Sequence, residues 1–527
     1  MSFLHARDFR CLVAASAALV PATALAVDAD PSNYEAIVPT LMPGDTLELA
    51  SGTYTGNLDL VGLNGTETSP ITIRGPGDKS AIFTGNPCCN TVEIVGSSYL
   101  RIESITVDGS GIDGVFGVSA KGGDANVVHH ITVADCVFTG HGASQQTVAI
   151  STKAPTWGWL ISGNLIDGAG TGLYLGNSDG TSPFVDGVIE GNLVRNTIGY
   201  NMQIKFQEAW PAGMPDETTS TLIRNNVFIK NDAPSPDGDR PNLLVGGFPE
   251  VGPGSENQHE IYGNFFFHNP REALLQASGR VSIHDNVFVD AVGSAVVVTD
   301  HDLPLRRARI YNNTVYAAQA GVQFGNAAAE GDLVIGNLFF APAGVAGPAQ
   351  NASENLLFTV AEASSVVNAP SLTLGTMDFY PLAGQAQGSP VDLSAVAGDA
   401  DYDVDFNGTS KGSFAFRGAY AGEGDNPGWQ LANGFKEGGG MTPPGTGGGG
   451  EGGAAAGGNS AAGGADGSLG GATSDDGGAD GGCDCRASRD EGLWRWNWLV
   501  LLTLAAVRRR SRRPFEMFLS HRFQDRR

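Results

Sequence analysis

The chain has 527 residues, of which 75 are glycine and only 17% are charged, and its formal net charge is −25 at pH 7. So acidic a balance excludes the basic stripes that nucleic-acid binders depend on, and no nucleic-acid partner is expected. It also opposes a simple electrostatic grip on an acidic polysaccharide, unless basic groups are gathered locally or bound cations reverse the sign.

Residues 1–26 read as a secretory signal, with His5, Arg7 and Arg10 before the apolar run CLVAASAALVPATALA and Ala24-Leu25-Ala26 as a small-x-small cleavage site. The mature protein is expected to begin near Val27 and to be exported. Export would permit disulfides, but Cys88 and Cys89 are adjacent and neighbouring cysteines rarely bridge each other, so none is expected. Residues 31–41 (PSNYEAIVPTL) carry Tyr34, Ile37, Val38 and Leu41 on one side, which suits a short amphipathic cap over the first unit of a solenoid. Leu47, Leu49, Tyr54, Leu58, Leu60, Ile71 and Ile73 then alternate with polar residues between the turn signals PGD, SGT and NGT.

From Ile102 one phrase keeps returning: an aliphatic residue, two variable residues, usually Asn, one more residue, then an apolar residue. It reads IESITV, VADCVF, ISGNLI, IEGNLV, IRNNVF, IYGNFF, IHDNVF, IYNNTV and VIGNLF. Its fourth position is Ile105, Cys136, Asn164, Asn192, Asn226, Asn264, Asn286, Asn313 and Asn337, so copies stand 31, 28, 28, 34, 38, 22, 27 and 24 residues apart. A repeat of this length means a solenoid, and period-two alternation broken at one polar site predicts a strand turning a corner. Each unit is therefore one coil of a β-helix. Asn suits the corner because it tolerates the left-handed region and because stacked amides can bond along a ladder. Phe138, Phe228, Phe266, Phe288 and Phe339, two residues past the corner, should stack inside. The varying spacing says that the excess loops out of a constant coil, and function should sit on those loops.

Between residues 341 and 436 the phrase decays, as expected of a last coil followed by a C-terminal cover. Residues 437–482 have almost no apolar side chains beyond Ala and read as a tether, with a root-mean-square span of about 35–40 Å for a flexible coil. Residues 483–527 place Cys483 and Cys485 before LWRWNWLVLLTLAAV and RRRSRR. That apolar run is short for a spanning helix.

The opening PGDTLELASGTY followed by PITIRGPG resembles right-handed parallel β-helix proteins, in particular the polysaccharide lyases related to chondroitinase B and alginate lyase. The resemblance covers roughly residues 36–420 and implies a right-handed parallel β-helix; with the repeat and the cap, the expectation is an all-β, single-stranded right-handed parallel β-helix over residues 27–436, with about 10–12 coils and a short N-terminal cap helix. The order of glycine-rich spacer, Cys motif, short hydrophobic segment and Arg cluster resembles the MYXO-CTERM type of sorting tail. That likeness implies removal of the tail and anchoring of the mature protein at the cell surface or outer membrane through a lipid on Cys483 or Cys485, the only contact with a membrane; a monomer is expected.

The widest spacings bracket residues 192–264, where the insertions FQEAWPAGMPDETTS, KNDAPSPDGDRP and VGGFPEVGPGSENQ lie. Alternation in YNMQIKFQ points Met202 and Ile204 inward and Lys205 outward beside them. In the lyases that the opening resembles, a lysine so placed removes the proton alpha to the uronate carboxylate, a calcium ion neutralises that carboxylate, and an arginine assists the leaving oxygen. Lys205 matches that lysine, but Val245 and Gly246 stand where the family motif has Arg and His; Arg240 and Arg271 are the nearest substitutes. Glu208, Asp237, Asp239 and Glu250, with Asp216, Glu217 and Glu256, could supply oxygen ligands to Ca²⁺. Asp399, Asp401, Asp403 and Asp405 form a second acidic group, on one face if the segment is a strand. His259 and His268 flank the same coil; local hydrogen bonding is the expected role for both, with His259 kept as a candidate. No P-loop, dinucleotide-binding, HExxH or GxSxG motif is present. Two functions follow as expectations: a uronate polysaccharide lyase with Lys205 as base, or a noncatalytic surface protein that binds glycan or serves adhesion. Either takes a polysaccharide or surface glycan as partner.

Overall fold

The structure, a computed structural model, describes residues 25–87 and 90–436. Residues 1–24 of the signal, Cys88 and Cys89, the tether, and the tail with Cys483 and Cys485 lie outside the described residues.

Each coil supplies one strand to each of three parallel sheets, as in Gln258–Tyr262, Phe265–Asn269 and Leu275–Ala277. The first sheet ends at the repeated corner, the second begins just after it, and the third leads by a further turn into the next coil. The third sheet has 11 strands and the second 12, so 11 coils are complete among the described residues and a last one is partial. The repeated phrase aligns the first sheet residue by residue. Ile102 pairs with Val133, Val133 with Ile161, Ile161 with Ile189, and the chain of partners continues through Ile223, Ile261, Ile283 and Ile310 to Val334. All of them are fully buried in one continuous interior. At roughly 1.5–3 kcal/mol for each such side chain taken out of water, this interior is the main force holding the coils together. Phe138, Phe228, Phe266, Phe288 and Phe339 lie in the same interior, and Phe266 stacks on Phe288 at 4.7 Å between ring centroids.

The corner works differently from the expectation in one respect. The left-handed residue is the one before each corner residue: Asp135, before Cys136, and Gly163, Gly191, Asn225, Gly263, Asp285, Asn312 and Gly336, before the asparagines, all have φ between 51° and 70°. The asparagines themselves are not left-handed; they form the ladder. The backbone N–H and the Nδ2 of Asn226 both donate to Oδ1 of Asn264, at 2.9 and 3.0 Å, while Nδ2 also donates to the Ile189 carbonyl at 2.8 Å. The same pattern runs from Asn164 to Asn337 and goes one coil further, to Asn355. Cys136 begins the column as a buried free thiol, its N–H donating to Asn164 Oδ1 at 3.0 Å. A buried amide with every donor and acceptor used is what lets a polar column stand beside an apolar core.

At the N-terminus the helix Tyr34–Ile37 and the turn Val38–Thr40 bury Tyr34 and Val38 in that core, with the Tyr34 ring edge-on to Tyr54 at 5.1 Å. The C-terminal cover lies mostly along the side of the coils. Phe379, Phe406, Tyr420 and Leu431 pack on Val227, Phe265, Val287, Leu338 and Phe340, which point outward from the second sheet. Buried ion pairs tie the cover down: Lys411 to Asp285 at 2.6 Å and Arg309 to Asp399 at 2.8 Å.

Candidate functional site

The long insertions border the third sheet on both edges. Residues 230–241 connect the second sheet to the third, whereas residues 205–219 and 246–257 connect the third to the first. On the outer face of the third sheet, Ser151, Tyr174, Gln203 and Leu244 follow one another in register. Just past these strands Lys153, Gly176, Lys205 and Gly246 continue the same rows, held by Lys205 N–H to the Leu175 carbonyl at 2.8 Å and Gly246 N–H to the Ile204 carbonyl at 2.9 Å. Met202 and Ile204 are buried inside, so alternation turns Lys205 outward.

The cations gathered here stand out in so acidic a chain. The Lys153 ammonium sits 3.8 Å from the centre of the Tyr174 ring. Burial pushes it down to about 8, with Lys205 adding to the effect and Asp179 opposing it. The Lys153 backbone N–H donates to the Ala120 carbonyl at 2.7 Å, but its ammonium has no hydrogen-bond or carboxylate partner among the described residues. Lys205 Nζ lies 3.6 Å from Asp302 Oδ2 and 5.1 Å from the centre of the Phe206 ring, and only 13% of its side chain is exposed. The Arg240 guanidinium lies 5.6 Å over the Tyr200 ring while donating to the carbonyls of Asp239 at 2.8 Å and Asp237 at 3.0 Å. His301 stands 3.7 Å from Asp302; burial lowers its imidazole, as do Lys205 and Arg240. Burial also raises the Tyr174 and Tyr200 hydroxyls, so both are protonated donors at neutral pH. The set offers two ammoniums, a guanidinium and two phenols along one face: donors suited to carboxylate and hydroxyl oxygens.

The other expected residues go elsewhere. His259 is wholly inside the coil, its Nε2 3.2 Å from the Gly246 carbonyl and its imidazole pushed down to about 4 by burial, so it cannot meet a substrate on the outer face. Arg271 is turned to the carbonyl of Asp232 at 3.3 Å and to Asp239 at 3.9 Å. Glu208, Asp237, Asp239 and Glu250 are exposed on three loops, with Asp237 and Asp239 sharing one. Asp401 and Asp403 belong to the cover, where residues 399–405 form turns instead of the expected strand face. There Asp399 and Asp405 are consumed as structural acceptors: Asp399 by Arg309 and Ser282, Asp405 by three backbone N–H groups at 2.7–2.9 Å. Among the described residues no three His, Cys, Asp or Glu side chains converge as a metal site. The calcium-ligand set expected from the resemblance therefore does not fit this face. Sequence reasoning missed Lys153, Tyr174, Tyr200, His301 and Asp302. A signal existed in AISTK and LYLGN, where Lys153 and Tyr174 hold the outward positions that alternation gives them.

Residues 148–339 match the family model described as right handed beta helix region. Among solved structures, the chain is similar to an alginate lyase from Paenibacillus sp. str. FPU-7, at 15% identity over 63% of this chain and 98% of that one, with a TM-score of 0.31. It is also similar to a PL6 family polysaccharide lyase from Pseudopedobacter saltans, at 12% identity over 63% and 91%, TM-score 0.39. A third is the A-module of mannuronan C-5 epimerase AlgE4 from Azotobacter vinelandii, at 15% identity over 62% and 93%, TM-score 0.35. No curated protein matches the sequence. The three continuous parallel sheets and the family match together make the fold an all-β right-handed parallel β-helix.

Proposed function

We propose that the protein acts on an acidic polysaccharide along the outer face of the third sheet, as a uronate lyase with Lys205 as the base. The observation that carries this reading is the concentration of Lys153, Lys205 and Arg240 around Tyr174 and Tyr200 in a chain of net charge −25. It supplies the local basic patch without which an acidic glycan would be repelled.

In the elimination, Lys205 takes the proton alpha to the uronate carboxylate. The released electron pair forms the ring double bond as the bond to the glycosidic oxygen breaks, and that oxygen leaves with a proton from a neighbouring donor. Arg240 and Tyr200 are the groups at hand to stabilise or protonate it. The residues present do not fit calcium, so no step is routed through it. Export through residues 1–26 and surface attachment through Cys483 or Cys485 complete the proposal, since an extracellular glycan must be met outside the cell.

The test incubates the exported chain with alginate, pectate and chondroitin and follows the ultraviolet absorbance of the unsaturated product. Lys205→Met should lower the rate at least a hundredfold, the scale of a lost general base. Turnover of none of the three, or a Lys205→Met variant as fast as the parent, rejects the lyase. Binding without turnover would leave the noncatalytic glycan-binding reading in its place.

A further inference from the structure

We infer that Lys153, seated on the Tyr174 ring, is the cation that receives the carboxylate of an acidic sugar on this face, and that carboxylate recognition here requires no metal. This rests on the reading of the third-sheet face as a uronate site. Lys153 is partly withdrawn from water, and its ammonium has no carboxylate or carbonyl partner among the described residues. An ammonium withdrawn from water normally finds a carboxylate or several carbonyls, because its desolvation is otherwise uncompensated. Other withdrawn lysines in this protein do so: Lys411 bonds Asp285 and the Tyr402 carbonyl, Lys436 bonds Asn225 and the Gly263 carbonyl, and Lys230 bonds the Arg240 carbonyl at 3.0 Å. Lys153 has only the face of Tyr174, at 3.8 Å.

A ring face steadies a cation without using its N–H donors, so the donors of Lys153 stay available to an incoming oxygen. The position is set by the fold. Lys153 and Lys205 occupy the same row two coils apart, with Gly176 between them, and strands about 4.8 Å apart put their backbones roughly 10 Å from each other. Gly176 has φ +90°, and a Cβ there would meet the Lys205 Cβ at 3.3 Å, so the glycine keeps the gap between the two lysines open. The buried hydroxyl of Ser151, in register with Tyr174, has no hydrogen-bond partner either, which adds a second idle polar atom to the same place. The acids that a metal would need are dispersed over other loops and over the cover. A protein cation therefore takes the role that a divalent ion would otherwise fill, and leaves Lys205 free to act as base.

The experiment uses the exported chain and measures binding of saturated oligogalacturonate, oligoguluronate and oligomannuronate by calorimetry in EDTA, with methyl-esterified oligogalacturonate as the uncharged comparison. At least one free acid should bind in EDTA at the affinity seen with Ca²⁺, and Lys153→Met should weaken it tenfold or more while leaving the ester within twofold. Lys153→Arg should stay within a few-fold of the parent, which guards against mistaking misfolding for loss of the cation. Binding that disappears in EDTA and returns with Ca²⁺ overturns the inference; so does acid binding unchanged in Lys153→Met, or a parent that binds no free acid. Lys205→Met reports on the other proposal, because it should abolish turnover and spare binding.

Discussion

At the residue scale, the repeated corner depends on a division of labour between two adjacent positions. The asparagine needs its amide buried and bonded to the next coil, while its predecessor needs a left-handed backbone that costs most residues about 1–2 kcal/mol. Glycine, Asp and Asn share that preceding position because each tolerates the conformation. What surrounds the position decides which of them fits. A Cβ added at Gly163 would have nothing closer than 3.9 Å, whereas at Gly263 it would meet the Asn225 side-chain oxygen at 2.6 Å, the same oxygen that accepts from Lys436. Gly163→Asn should therefore change stability by less than about 1 kcal/mol, and the same change at Gly263 should cost about 2 kcal/mol or more by displacing a buried charge-assisted bond. Thermal unfolding of the two variants side by side checks this, and equal losses would mean that backbone preference alone sets the corner. The ladder was legible because nine copies of one phrase put asparagine at a fixed offset. The left-handed position was not, because Ser104, Asp135, Gly163, Asn225 and Glu354 share a backbone angle and no side-chain chemistry.

At the scale of elements, inward faces were readable and outward ones only partly. Period-two alternation predicts Met202 and Ile204 inside and Lys205 outside, and the register agrees, because slipping by one residue would expose the whole interior row. The second sheet breaks that alternation: FFF at 265–267, VFV at 287–289 and LFF at 338–340 are apolar at every position, the pattern of strands covered on both faces. The covering segment has no period of its own, so its partner could not be identified from sequence; three-dimensional contact alone brings Phe379, Phe406 and Tyr420 onto Phe265 and Phe340. The candidate site was half legible for a related reason. Lys205 lay beside long insertions, but Lys153 and Tyr174 lie on earlier coils, and only stacking brings them to it. A chain ended after Phe358 would expose Val227, Phe265, Val287, Leu338 and Phe340 as one apolar patch, and it should self-associate. Size-exclusion chromatography would show this; a shortened chain that stays monomeric and folded would mean the cover is dispensable.

At the scale of the whole described molecule, the cover changes how the solenoid should come apart. A bare array of coils is held by contacts between neighbours only, so its ends fray and its interior opens in pieces. Here the cover reaches back across many coils. Asn433 accepts from Arg195 at 3.1 Å, Lys436 bonds Asn225 and Gly263, Lys411 bonds Asp285, Asp399 accepts from Arg309, and Arg417 bonds Glu354 at 2.9 Å. The coils between Arg195 and Glu354 are thereby fastened to one segment and should open together. Those from Leu47 to Phe138 lie outside its reach and rely on their neighbours and on the cap around Tyr34. Hydrogen exchange under native conditions should accordingly separate two groups of strand amides. Those paired along Ile223, Ile261, Ile283 and Ile310 should exchange last and at one common free energy, and those along Ile73 and Ile102 earlier and in graded order. Both groups have equally buried interiors, but the asparagine ladder runs only through the later one, so it is the common free energy across those coils, and not their greater protection, that reports the cover; graded exchange there, or uniform protection from end to end, would show that the cover fastens nothing.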